Sequence, residues 1–284
     1  MNKVAFLGTG LLGSGMAERM LHQGDAVTVW NRTEAKARAL EQHGAVVAAS
    51  PAAAVAGADR VHMALPDDIV VDTILAAIAP HVDRSAVVID HSTTSPAGTI
   101  ERHALLAESG IRFLHAPVFM SPQMCRDGMG LMMVSGPLPI FEAVEPTLER
   151  MTGDVWFVGE RPDLAACYKL FGNSLIFVLT AGLADVLTMA KSLGVPSNDA
   201  VGVFSRFNVG AVVQMRGDKM ARGDRSATFE LTMARKDLRL MIEAAGVASL
   251  AVLPAVAERM DDAIARGHGR DDLGAIGLSA GLRS

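Results

Sequence analysis

The chain has 284 residues, 50% of them apolar and 20% charged, which suits one large or two ordinary globular domains. Its formal net charge of -5 and its lack of a basic cluster argue against nucleic acid as the main partner, because phosphate binding needs concentrated Lys and Arg. With only Cys125 and Cys167 and no His-x-His spacing, the sequence predicts neither a disulfide framework nor a metal site.

The chain begins with short β-rich runs that alternate with helix-compatible stretches. Asn2 and Lys3 enter the first run directly, without the apolar h-region of an export signal, so we expect a cytoplasmic protein. The predicted strands are Val4–Leu7, Val27–Trp30, Arg60–Ala64, Val87–Asp90, Ile111–Ala116, Leu131–Ser135 and Val155–Val158, with a helix at Ile140–Met151. This alternation predicts an α/β fold, a Rossmann domain with a doubly wound, mostly parallel sheet, over residues 1–162.

From Asp163 onward the pattern is helical, with almost no strand signal. Residues 163–193 contain no proline and are followed by Gly194 and Pro196, which predicts one long interdomain helix. Shorter helices are predicted at Asn198–Phe204, Ala211–Met220, Leu231–Ala245 and Leu253–Ala265. Residues 163–284 are therefore predicted to form an all-helical domain for substrate binding and oligomerisation.

The long helix contains the longest apolar stretch of the chain, Ser174–Ala190. Asp185 interrupts this stretch, which is also shorter than the ~20 residues of a membrane span. We therefore predict a buried helix and no membrane partner. The helical half is more apolar than one small domain can cover, which favours self-association.

The motif Gly8-Thr9-Gly10-Leu11-Leu12-Gly13 lies between the first predicted strand and a helix. In this context Gly8 allows a tight turn, Gly10 lets the backbone approach a pyrophosphate, and Gly13 lets helix and strand pack closely. The motif predicts a dinucleotide site. A purely structural glycine turn is the alternative.

About 20 residues later, where NAD-binding enzymes place an acidic side chain on the ribose, the chain has Asn31-Arg32-Thr33. The guanidinium of Arg32 cannot accept a hydrogen bond from a 2′-hydroxyl, but it can pair with a 2′-phosphate, helped by Thr33 and Lys36. NADP(H) is therefore favoured over NAD(H). The alternative is that Asn31 caps the next helix and Arg32 is a solvated charge.

Two further segments carry reactive polar groups. Ser92 and Thr93 follow a predicted strand, at the edge where open α/β sheets bind ligands, although Ser95-Pro96 could instead make the segment a simple helix start. Lys169 and Asn173 are four residues apart on one helix face, where a lysine of lowered pKa could protonate a carbonyl oxygen. From spacing alone, a solvated lysine is the more common explanation.

In their order along the chain, these motifs resemble those of the β-hydroxyacid dehydrogenases, relatives of 3-hydroxyisobutyrate dehydrogenase, glyoxylate/succinic semialdehyde reductases and 6-phosphogluconate dehydrogenase. The resemblance covers nearly the whole chain and includes Gly8–Met16, Ala64-Leu65-Pro66, Ser92–Pro96, Ala116-Pro117-Val118, Lys169 with Asn173, and Lys236-Asp237. It implies cofactor contacts at Leu11, Leu12, Leu65, Pro66, Thr93 and Lys236, and substrate contacts at Ser92, Phe119, Met120 and Ser121. It also implies Lys169 as the catalytic acid/base with Asn173 as the catalytic amide, and a homodimer or homotetramer.

The chain departs from the family pattern in two places. Phe119 and Met120 replace small residues whose backbone amides would hold a carboxylate, so we expect a bulkier or less charged substrate. Gly172 replaces the first asparagine of the family's Lys-x-x-Asn-Asn. Because Lys169 is retained, the related imine reductases, which usually carry another residue there, match less well.

The sequence thus predicts an NADP(H)-dependent oxidoreductase that transfers hydride between the nicotinamide and a small hydroxy acid, aldehyde or oxo acid. Two alternatives stay open: an enzyme that resembles the imine reductases, and a nonenzymatic NADP(H)-sensing protein.

Overall fold

In residues 2–280, which this computed structural model describes, the strands form a single nine-stranded sheet. Their bounds are β1 Lys3–Leu7, β2 Ala26–Trp30, β3 Val46–Val47, β4 Arg60–Met63, β5 Val87–Asp90, β6 Arg112–His115, β7 Val118–Phe119, β8 Leu131–Ser135 and β9 Asp154–Gly159. All seven predicted strands are confirmed. The two that were not predicted, β3 and β7, have two residues each and are too short to show an alternating pattern.

The order of the strands places the ligand-binding edge. It is β3-β2-β1-β4-β5-β6-β8-β7, with β9 beside β8, and the first six strands are parallel. Those six have the order of the doubly wound dinucleotide-binding fold, whose winding reverses between β1 and β4. The extension is mixed, since β8 is antiparallel to β6 and β7 and parallel to β9. The predicted fold class is confirmed.

Helices cover both faces of this sheet. The α-helices of the described residues are α1 Leu11–His22, α2 Glu34–Arg38, α3 Pro51–Val55, α4 Asp68–Ile78, α5 Pro96–Glu108, α6 Pro122–Asp127, α7 Leu138–Thr152, α8 Leu164–Ser192, α9 Ser197–Gly202, α10 Val209–Ala221, α11 Leu231–Ala245 and α12 Leu253–Ala263. Val4 and Phe6 of β1 lie in one core with α1 and α7, and Ala5 and Leu7 lie in the other with α4 and α5. Alternate side chains of a strand point to opposite faces, so β1 contributes to both cores.

The chain divides into two compact units, Met1–Asn173 and Ser174–Ser284. The division falls inside α8 and not at residues 162–163, where the sequence places the boundary. The first turns of α8 belong to the first unit because Ala165 and Ala166 are fully buried, and because the Ala165 N–H lies 3.3 Å from Ser135 Oγ of β8.

The second unit consists of helices and the loops that join them, without a strand in its described residues up to 280, and it has its own core between α11 and α12. Asp185, the residue that interrupts the apolar stretch of α8, is 1% exposed. Its carboxylate accepts hydrogen bonds from the N–H groups of Ala251, Val252 and Leu253, where α12 begins. The Asp185 side chain, which interrupts the apolar stretch, therefore caps α12. Its hydrogen bonds hold α12 against α8.

The prediction that α8 is a buried helix is wrong for the single chain. The helix has 29 residues and a mean hydropathy of 1.8 over its most apolar window, so it is long and apolar enough to cross a membrane. Only 6% of that window is buried, and Phe177 and Val178 are 69% and 56% exposed. Sequence composition shows that a surface is apolar, but it does not show what covers that surface.

Candidate active site

The glycine turn between β1 and α1 has the geometry that a pyrophosphate requires. Gly8 has a φ of +97°, and a Cβ there would lie 2.3 Å from the Ala64 carbonyl oxygen. A Cβ on Gly13 would lie 2.0 Å from the Gly8 oxygen, whereas a Cβ on Gly10 would meet no atom within 4 Å. Gly8 and Gly13 are thus needed for the turn and its packing, and Gly10 leaves open space.

The first turn of α1 is available to an anion. Its cap is Gly10, which has no side chain to accept from the free N–H groups of this turn. In contrast, α4, α5 and α6 are capped by Asp67, Ser95 and Ser121. The helix start at Ser95-Pro96, which the sequence offered as the alternative to ligand binding, is present, but Ser92 and Thr93 of the same segment also line the cavity described below.

Asn31, at the end of β2, connects the glycine turn to the segment that follows. Its Oδ1 accepts from the Thr9 N–H at 3.1 Å, and its Nδ2 donates to the Thr33 carbonyl at 2.9 Å. The next helix, α2, has Thr33 and not Asn31 at its cap position, without a side-chain hydrogen bond. Capping by Asn31 is therefore excluded.

Arg32 and Lys36 supply positive charge beside this turn. Both side chains are exposed and, within residues 2–280, neither forms an ion pair with the protein. Their neighbour Arg38 differs, since its guanidinium pairs with Glu34 and Glu41. Two cations thus remain free to bind an anionic group.

The ends of β4 and β5 are held together by side chains. The Leu65 N–H donates to Ser92 Oγ at 2.9 Å, and the Ser92 N–H donates to the buried Asp90 carboxylate at 2.9 Å. These bonds fix the segments after both strands at the carboxyl edge of the sheet, next to the glycine turn.

These segments surround a cavity of about 820 Å³. All predicted cofactor residues except Lys236 line it, namely Gly8, Gly10, Leu11, Leu12, Gly13, Asn31, Arg32, Thr33, Leu65, Pro66 and Thr93. Ser92, predicted to contact the substrate, lies in this cavity as well. Lys236 lies on α11 in the second unit, and its amine is 2.7 Å from the Asp237 carboxylate.

Sequence reasoning missed part of the cavity wall. Trp30, Val70, Thr73, Ile74 and His91 also line it. Three of these residues lie on α4 at positions i, i+3 and i+4, so they share one helix face. Their spacing directly after the Ala64-Leu65-Pro66 segment is the signal that could have identified them.

Lys169 is held in a defined position on the first turns of α8. Its Nζ donates to the Val118 carbonyl at 2.8 Å and lies 4.1 Å from the centroid of the Phe119 ring. No carboxylate pairs with it among residues 2–280, and burial lowers the pKa of this amine. Asn173, half-buried, follows one turn later. Lys169 is therefore not a freely solvated lysine.

A three-residue segment connects the cavity wall to this lysine. His91 lines the cavity, and the Nδ1 of its buried ring lies 2.8 Å from the Ala116 carbonyl oxygen. Burial lowers the pKa of His91 to about 4, so the ring is neutral near pH 7 and Nδ1 carries the donated hydrogen. The Met133 N–H donates to the Pro117 carbonyl at 3.1 Å, and Val118 then presents its carbonyl to Lys169.

The remaining predicted substrate residues take different positions. Met120 packs against the core that β1 shares with α1 and α7, with Gly130 beside it. Ser121 Oγ accepts a hydrogen bond from the Met124 N–H at 3.2 Å. Of the predicted substrate loop, Phe119 is thus the residue whose side chain contacts Lys169.

Residues 3–159 match the family model described as the NAD binding domain of 6-phosphogluconate dehydrogenase. The chain belongs to this family. The resemblance to the β-hydroxyacid dehydrogenases predicted from the motifs is confirmed. The glycine cradle and the uncapped helix N-terminus fit an NAD(P) pyrophosphate.

Curated relatives extend the match beyond this domain. Glyoxylate/succinic semialdehyde reductase 2 of Arabidopsis thaliana is 28% identical over 273 residues, covering 95% of this chain and 76% of the relative. The 3-sulfolactaldehyde reductase of Escherichia coli is 29% identical over 283 residues, covering 97% and 95%. The nuclear factor N-PAC of Homo sapiens is 29% identical over 84% of this chain, which spans only 44% of that protein.

Solved structures show the same fold over the full length. The imine reductase of Streptomyces aurantiacus superposes with a TM-score of 0.90 at 22% identity, covering 99% of this chain and 100% of that one. The chain is thus an NAD(P)-binding member of an oxidoreductase family.

Proposed function

We propose that the chain is an NADP(H)-dependent reductase of small aldehydes or oxo acids, which in reverse oxidises the corresponding hydroxy acids. The observation that carries this proposal is the half-buried Lys169 amine, fixed at 2.8 Å from the Val118 carbonyl and without a carboxylate partner in residues 2–280. The names of two full-length relatives, reductases of glyoxylate, succinic semialdehyde and 3-sulfolactaldehyde, support a carbonyl substrate.

The cofactor preference is proposed from Arg32 and Lys36. We expect the first turn of α1 to hold the pyrophosphate, and these two cations to hold the 2′-phosphate that distinguishes NADPH. When bound, the cofactor supplies or accepts the hydride. An acidic side chain for a ribose 2′-hydroxyl is not among the residues that line the cavity, which favours NADP(H) over NAD(H).

Lys169 acts in this proposal as the general acid of reduction. As negative charge develops on the carbonyl oxygen, the ammonium donates its proton, and in oxidation the neutral amine takes the proton back. A lowered pKa makes the ammonium a stronger acid for reduction, and it raises the fraction of neutral amine that is present near neutral pH to act as the base in oxidation. The Asn173 amide, one turn away, is proposed to hold the substrate.

Replacement of the amine tests this role. We expect Lys169→Ala to lower turnover by at least ~100-fold, a common contribution of general acid–base catalysis, while NADPH affinity changes little. Lys191→Ala, which removes an exposed lysine from the last turn of the same helix, is the control. Turnover near that of the wild type in Lys169→Ala would refute the assignment.

Two other functions are separated by the same assay. The imine reductase fold supports reduction of cyclic imines as a second candidate, which would give NADPH consumption with imines but not with aldehydes or oxo acids. A nonenzymatic sensor would bind NADPH and consume none with any substrate in the panel.

We also propose that a second copy of the chain covers the exposed apolar face of α8 in a homodimer or homotetramer. A lipid bilayer is the other candidate, but Asp185, within the apolar stretch of this helix, accepts hydrogen bonds from the backbone of α12. Sedimentation analysis should give an oligomer for the wild type and a smaller species for Phe177→Asp. A monomeric wild type, or one that requires detergent, would contradict the proposal.

A further inference from the structure

The two departures from the family pattern, Phe119 and Gly172, are in contact although they lie far apart in the sequence. A Cβ placed on Gly172 would lie 2.2 Å from Cζ of the Phe119 ring and 3.0 Å from each of its Cε atoms. The ring therefore rests directly on the backbone of α8 at this position.

The backbone itself does not require a glycine at position 172. This residue lies inside α8 and has no positive φ, and glycine inside a helix is less favourable than alanine. The space that the Phe119 ring occupies does require it. The two residues thus form a matched pair, in which the glycine makes room for the ring.

The same ring forms a wall beside the proposed proton donor. Lys169 Nζ lies 4.1 Å from the ring centroid, and the neighbouring Val118 carbonyl accepts its hydrogen bond. A substrate oxygen that receives this proton must approach to about 3 Å from Nζ. The substituent next to the reacting carbon then comes close to the ring.

The face of an aromatic ring carries partial negative charge, so it attracts the ammonium but repels a carboxylate. A carboxylate placed against it would also lose hydration, and the ring offers no hydrogen-bond donor in return. We infer that Phe119, seated on Gly172, is a specificity-determining residue that selects carbonyl substrates with an uncharged, apolar substituent next to the reacting carbon. This inference rests on the reductase activity proposed above and narrows its substrates to aldehydes and to oxo acids whose carboxylate is not bonded to the reacting carbon.

Pairs of an acid and its ester, which differ in the charge next to the reacting carbon, test the selection. We would measure kcat/KM with NADPH for glyoxylate against ethyl glyoxylate, and for pyruvate against ethyl pyruvate. The wild type should prefer each ester by at least ~10-fold, and Phe119→Ser should lower this preference by a similar factor. Phe119→Leu keeps an apolar wall and should retain most of the preference. Leu105→Ser, at an exposed position of α5, is the control for loss of an apolar side chain.

Gly172→Ala tests the matched pair, alone and combined with Phe119→Ser. Alone, the added methyl group should displace the ring and lower both Tm and kcat/KM for the esters. Combined with Phe119→Ser, it should leave Tm unchanged or raise it, because alanine is the better helix former. If Gly172→Ala changes Tm by the same amount in the wild type and in Phe119→Ser, the two residues are not coupled and the matched pair is overturned.

The outcomes separate this inference from the activity on which it rests. A wild type that reduces acid and ester equally well, or a Phe119→Ser variant that keeps the full preference, overturns the inference and leaves the reductase standing. A wild type that binds NADPH but reduces no member of either pair overturns the proposed activity, and the inference with it.

Discussion

Arg32→Ala is the sharpest test of the cofactor site, because the expected effect is confined to one of two nearly identical ligands. Arg32 lines the cavity, is exposed and has no ion-pair partner within residues 2–280. A hydrogen bond to a charged group contributes about 1.5–3 kcal/mol, and solvent exposure places this site near the lower end. A loss of about 2 kcal/mol corresponds to ~30-fold weaker NADPH binding. NADH lacks the phosphate, so its affinity should change less than ~2-fold.

The chain provides both a probe and a control for this measurement. Trp30 lines the same cavity, so its fluorescence should respond when either nucleotide binds. Arg38→Ala removes a nearby guanidinium that pairs with Glu34 and Glu41 and does not line the cavity. It should leave both dissociation constants unchanged. Equal losses for NADPH and NADH in Arg32→Ala, or an equal loss of NADPH binding in Arg38→Ala, would refute the assignment.

The remaining predictions concern protonation and stability. Reduction needs protonated Lys169, so kcat/KM for reduction should fall as pH rises through a pKa below the usual lysine value, while kcat/KM for oxidation should rise. Profiles of kcat/KM against pH that lack these opposite slopes would contradict Lys169 as the acid. Asp185→Ala leaves three N–H groups of α12 without their acceptor and should cost about 2 kcal/mol in urea unfolding, against little change for the exposed Asp199→Ala. Burial lowers the pKa of both His62 and His91, so below pH ~6.5 the unfolded chain binds more protons than the folded chain. Tm should therefore fall on acidification toward pH 4. A Tm that stays constant over this pH range would contradict the presence of two buried neutral histidines.

The sheet and the cofactor edge could be predicted because their signals are local. A strand such as Val87–Asp90 is a short apolar run, and parallel strands bring their carboxyl ends to one edge whatever the details of packing. Gly8, Asn31, Leu65 and Thr93 each follow a strand and therefore meet around one cavity.

The surroundings of Lys169 could not be predicted in this way. Phe119 and Gly172 were each recognised as unusual, but their contact depends on how β7 and α8 pack, and no local pattern encodes that. β7 itself has only two residues. The exposure of α8 was also missed, because an apolar sequence looks the same whether its own chain or another surface covers it.

The short strand β7 is separate from the segments that form the nucleotide cavity. Val118 and Phe119 make up this two-residue strand, which pairs with β8, whereas the cavity is formed by the turns after β1, β2, β4 and β5. Under the proposed function, changes at Phe119 and at the facing Gly172 would alter the substrate preference while the nucleotide cavity stays unchanged. Because the nucleotide and the substrate are contacted by different segments, relatives are expected to share one nucleotide-binding fold and to differ in their substrates.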